Sequence, residues 1–141
     1  MQYVCDAGAK TWFRIETLAE AALESQIMDH VVEKYFRQAY EQATHSYAPP
    51  RSAPAIERNI GLKAHIQRKM PWFLTLRDCE GRALVTAMLP PAACDDRGFR
   101  PIIVGFANSD PYSDHAGAIR QLGQHFGLTL DPARCYPYRR S

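Results

Sequence analysis

Between Thr17 and Thr44 apolar doublets recur about every four residues: Ala22-Leu23, Ile27-Met28, Val31-Val32, Tyr35-Phe36 and Ala39-Tyr40. That period is helical, and no other stretch of the chain constrains the fold as strongly. Thr17 stands three residues before Glu20, the spacing of a capping box, in which the hydroxyl and the carboxylate each accept a hydrogen bond from an orphan amide. Pro49 and Pro50 set the latest possible end. The sequence therefore predicts one long helix over about 18–44. At 1.5 Å per residue it would span roughly 40 Å, against a radius of gyration near ~14 Å for a domain of this length. A spacing of four also drifts by about 40° per step against a period of 3.6. The apolar stripe winds round the helix, so one sheet face leaves part of it for another subunit.

The remaining elements are shorter. Tyr3-Val4-Cys5 and Thr11–Glu16 flank Asp6-Ala7-Gly8 and read as a hairpin. Side chains alternate along a strand, which places Phe13 and Ile15 toward the core and Trp12, Arg14 and Glu16 together on the opposite face. After the proline-rich connection 45–56, Ile56, Ile60, Lys63 and Ile66 fit a short helix over 56–69, with Gly61 against it. Residues 72–77 and 82–88 form a second hairpin across Asp78-Cys79-Glu80-Gly81, whose aspartate and glycine suit a type I turn. Residues 92–98 read as a loop. The apolar run 101–106 is a strand buried on both faces. Ile119, Leu122 and Phe126 mark the inner side of a last helix, about 114–126, which Gly127 ends. The order is ββ-α-(α)-βββ-α. This predicts a single α+β domain over 1–141, with a mostly antiparallel sheet of 4–5 strands covered on one face by the long helix and the C-terminal helix. Residues 131–141 read as a mobile tail.

With 141 residues the chain can bury a core without disulfide or metal support. It holds no run approaching the ~18 apolar residues of a membrane span and no secretory leader, so the expectation is a soluble, cytoplasmic protein with no membrane partner. Cys5, Cys79, Cys94 and Cys135 form no CxxC pair and are expected as reduced thiols. His30, His45, His65, His115 and His125 lack metal-ligand spacing, so neither a metal nor a cofactor is expected. Phosphate-binding loops, GxSxG and HExxH are all missing from the sequence.

Three places remain as candidate sites. The first is the loop from Gly105 to His115, after a buried strand and before a helix. A helix start leaves amides unpaired. Phe106 and Tyr112 could wall a crevice there. Asn108, Ser109, Asp110 and His115 could orient a small polar ligand, and Gly105 would let it approach the backbone. The competing account is a sealed turn. The second is the strand face of Trp12, Arg14 and Glu16, where an aromatic beside an arginine suits a planar or anionic group. The third is the basic segment 51–77, net +5, in a chain whose residues 1–50 carry −3. Arg58, Lys63, Arg68, Lys69 and Trp72 combine cations with a stacking ring, as single-stranded nucleic acid would require. The leading expectation is a non-enzymatic ligand-binding or protein-interaction module, homodimeric through the winding stripe. Nucleic-acid binding through 51–77 is the alternative, and a small enzyme without a known signature comes third.

Overall fold

The computed structural model describes residues 1–96 and 98–136. Five strands, β1 (Gln2–Ala7), β2 (Lys10–Ile15), β3 (Trp72–Arg77), β4 (Ala83–Leu89) and β5 (Ile102–Val104), pair antiparallel in sequence order as one sheet. Four helices accompany them: α1 (Leu18–Met28), α2 (Val32–His45), α3 (Ala55–Lys69) and α4 (Tyr112–Phe126). The α+β class and the antiparallel five-stranded sheet agree with the sequence, and residues 56–69 are helical.

The long helix is corrected to two. The capping box at Thr17 and Glu20 forms as expected. Asp29 then turns left-handed, at φ 51° and ψ 57°, and both its amide and that of His30 bond back to the Ser25 carbonyl. Aspartate tolerates that conformation better than its apolar neighbours do. Periodicity alone does not announce the break: on a straight helix Ala21, Met28, Val32 and Phe36 would all fall within about 80° of one another, and all four are buried here too. Ser25 also stabilises the new start, because its Oγ accepts from the Glu33 amide at 2.8 Å.

The helices cover both sheet faces rather than one. On one side Trp12, Leu74, Leu76, Val85, Ala87, Leu89 and Ile103 pack against Ala118, Ile119 and Leu122 of α4. On the other, Ile15 and Phe73 pack against Ala21, Val32 and Phe36 of α1 and α2. β3 and β4 are buried on both faces, so each needs its own helical layer. α3 packs on α2 and meets the core through half-buried Ile66, with no fully buried residue of its own. Gly61 is there because Tyr47 packs where a β-carbon would stand.

α4 starts at Tyr112, two residues earlier than expected. It ends on Gly127 at φ 71°, where the Leu128 amide reaches the Gly123 carbonyl at 2.8 Å. The turn of the first hairpin falls at Gly8-Ala9, later than Asp6-Ala7-Gly8, and Pro91–Ala93 form a short 3-10 turn that overlaps the start of the expected loop. The described part of the tail runs to Tyr136. Cys135 is buried, and Tyr136 bridges to Ile102 with its amide on the Pro101 carbonyl. Residues 137–141 fall outside the described residues.

Candidate functional site

The loop from Gly105 to His115 closes on itself. The Gly105 amide donates to the Ser109 carbonyl at 2.9 Å, the Asn108 amide to Gly105 at 3.1 Å, and the Ser109 amide to Phe106 at 3.0 Å. Ala107 and Asn108 are left-handed, which makes the turn tight enough for these bonds. The loop amides of Gly105, Asn108 and Ser109 are thus already satisfied. The Asp110 carboxylate accepts from the Tyr112 amide at 2.7 Å. Tyr112 points inward and donates to the Leu130 carbonyl at 2.8 Å, and burial pushes its hydroxyl well above the usual phenol range. Phe106 is exposed, and His115 meets the Lys10 ammonium at 3.0 Å. The structure does not converge these residues on one crevice. Asn108 borders a small cavity beside His30, while Tyr112 and His115 line two separate grooves on α4.

Trp12 is fully buried under α4, with its indole donating to the Ala118 carbonyl at 2.9 Å. It offers no exposed ring. The Arg14 guanidinium instead lies 3.8 Å above the ring of Trp72, its diagonal neighbour on β3, and Glu16 is exposed. Trp72 also meets Phe126 in an edge-type contact at 5.2 Å, so its ring is engaged from within the chain by both Arg14 and Phe126. Among the other basic residues, Arg58, Lys63, Arg68 and Lys69 are all exposed on α3. At about 100° per residue Arg58 and Lys69 share one side while Lys63 and Arg68 point to two others, so the four draw no single cationic stripe. Arg77 is committed elsewhere.

Its partner is Glu24, a fully buried carboxylate that sequence reading missed. Arg77 Nη2 donates to Glu24 Oε1 at 2.7 Å, and Thr86 Oγ1 donates to Oε2 at 2.7 Å. His30 Nε2 lies 2.8 Å from the same Thr86 oxygen, and its Nδ1 accepts from the Val32 amide at 3.4 Å. Thr86 has one proton, and the carboxylate takes it. His30 must therefore donate through Nε2 and accept through Nδ1, which fixes the neutral tautomer. Burial holds the His30 imidazole below its ordinary pKa, against a smaller opposing effect of Glu24 and Asp29. Arg77 completes the network through Thr75 Oγ1 and the Gly81 carbonyl, both at 3.1 Å. Every buried side-chain polar atom among the described residues has a partner.

This network sits in the break between α1 and α2, over a cavity of about 40 Å³ lined by His30, Val31, Tyr35, Thr86 and Asn108 among others. The space is about that of one water molecule. Thr86 is a poor nucleophile in this arrangement. To pass its proton to His30 it would leave the Glu24 oxygen without a donor in a buried setting. What the network does is bolt α1, the helix break and the sheet together. One signal in the sequence pointed to it. Glu24 falls three residues after Ala21 and four before Met28, in phase with the inner stripe, where a carboxylate needs a buried partner.

Outside this network the apolar doublets split one member in, one out. Met28, Val32 and Phe36 are buried, while Ile27, Val31 and Tyr35 are 42%, 54% and 44% exposed. Leu23 and Tyr40 continue the outward set. The outward residues of α1 are Leu18, Ala19, Leu23, Gln26 and Ile27, and none is charged. Its two carboxylates are otherwise engaged: Glu20 holds the amino terminus of Met1 and the capping box, and Glu24 is buried. No helix among the described residues is long and apolar enough to cross a membrane, and those residues hold no cluster of potential metal ligands. The four cysteines are free thiols. No protein-family model, curated protein or solved structure matches the chain.

Proposed function

We propose that this chain is a non-enzymatic protein-interaction module that pairs with a second copy of itself through the outer side of α1 and the start of α2. The observation that carries the reading is the uncharged outer face of α1. A helix on the surface of a monomer normally turns charged residues to water, and one that is apolar on every side is normally covered. A neutral face meets its own copy without repulsion, as the self-complementary patch of a two-fold dimer requires. An ordinary interface needs about 800 Å² per partner. The outward Leu23, Ile27, Val31 and Tyr35 would form its centre, with Gln26, Asp29 and Lys34 at the rim.

The experiment is sedimentation of the natural chain beside a Leu23→Glu/Ile27→Glu variant. Both positions are exposed, so the variant keeps the fold, which circular dichroism checks. The natural chain should sediment as a dimer at micromolar concentration and the variant as a monomer. Identical behaviour of the two would refute the reading.

A further inference from the structure

The most exposed large apolar side chains with a defined helical neighbourhood are Ile56 and Ile60, at 74% and 63%. They lie on α3, fifteen residues long without one buried side chain, held by α2 and the 3-10 turn at Pro91–Ala93. Continuing along the same side come Lys63 and Gln67, both exposed. The steps from 56 to 60, 63 and 67 alternate four and three residues, which is the spacing of a coiled-coil seam. The seam is apolar for its first two layers, cationic at the third and neutral polar at the fourth.

We infer that α3 is a docking face for an amphipathic helix of another protein, one that sets apolar residues against Ile56 and Ile60 and a carboxylate against Lys63. Two observations select this partner. The first is charge: α3 carries Arg58, Lys63, Arg68 and Lys69 against the single acid Glu57, so an acidic helix is attracted from any approach. The second is that α3 does not complement itself. A parallel pair of α3 helices would stack Lys63 on Lys63, and an antiparallel pair would set Ile60 against Lys63 and Ile56 against Gln67. A bilayer surface is a weaker match, because two isoleucines make a short apolar strip and the cations surround it on several sides rather than flanking one wide face. The seam from Ile56 to Gln67 is about 17 Å long, three helical turns, so a short helix suffices. This face is distinct from the outer side of α1, and the inference does not depend on self-association.

The test uses a synthetic acidic peptide of three heptads with leucine at its seam, except for one glutamate placed to meet Lys63. Chemical-shift mapping on the isotope-labelled full chain should show perturbations confined to α3 and its flanks. Lys63→Glu should weaken the peptide by about tenfold, and a peptide with lysine in place of that glutamate should restore binding to the variant. Exposed Lys63 tolerates this change, so loss of folding does not confuse the result. The inference is overturned if the peptide leaves α3 unperturbed, if Lys63→Glu has no effect on its binding, or if α3 responds to anionic vesicles or an oligothymidine strand and not to the peptide.

Discussion

Toward α4 the central strands present Trp12, Leu74, Leu76, Val85, Ala87, Leu89 and Ile103, a continuous apolar surface with one indole hydrogen bond. Toward α1 and α2 the same strands present Ile15 and Phe73 interrupted by Thr75, Thr86 and Arg77. The α4 layer is held mainly by apolar burial, at roughly 25 cal/mol per Å². The α1 layer adds an ion pair and a defined histidine tautomer, and its helix turns uncharged residues to water. The difference teaches where each kind of role can sit. A face that only packs has nothing left to offer a partner. A face that buries one apolar residue of each doublet must expose the other.

The largest effects should come from breaking each layer at its centre. Trp12→Ala removes the biggest side chain of the α4 layer and should destabilise the chain by about 3–5 kcal/mol in urea unfolding. Glu24→Ala leaves Arg77 almost buried without a counter-charge and should cost about as much, ~3–5 kcal/mol. The layers should part in their repair. A Glu24→Leu/Arg77→Met pair should recover most of the loss, since two apolar residues replace a buried ion pair at little cost. No such double change is expected to rescue Trp12→Ala.

A smaller effect, pH dependence, is shared by the two layers. The folded state holds His30 below its ordinary pKa, so below that ordinary value the unfolded chain binds more protons than the folded one. Stability is complete above pH ~6.5 and should fall as the pH drops from there toward the folded pKa. His115, lowered first by burial and then by Lys10, adds a loss of the same sign. Denaturant titrations at pH 7.5 and 5.5 should show the decline. His30→Gln and His115→Gln should each flatten part of it, and an unchanged slope in His30→Gln would remove the tautomer argument.

The α4 layer was legible because periodicity and burial say the same thing there. Ile119, Leu122 and the Gly127 stop all stand where the sequence placed them. The α1–α2 layer was half legible. The doublets announced a helix and surplus apolar surface, but two adjacent apolar residues do not say which one turns inward. The break at Asp29 depends on packing that no local propensity records. The buried network was harder still, because Glu24, His30, Arg77 and Thr86 are up to 62 residues apart in sequence and only the sheet register brings them together. The loop 105–115 has the composition of a site, but the same residues satisfy one another as a turn. Arg14 shares its sheet face with its direct partner Leu74 and with Trp72 on the diagonal, so the guanidinium stacks on a ring other than Trp12.

The smallest effect on stability carries the largest consequence for assembly. Ile27→Glu changes an exposed residue and should move the unfolding free energy by no more than about 0.5 kcal/mol, measured at a concentration where the chain is monomeric.

The most direct measurement of the central claim is the molar mass of the natural chain by light scattering across a concentration series. Self-association through the uncharged face of α1 predicts a mass near twice 16.0 kDa at micromolar concentration, falling toward 16.0 kDa on dilution. A mass that stays at 16.0 kDa up to the solubility limit would contradict it.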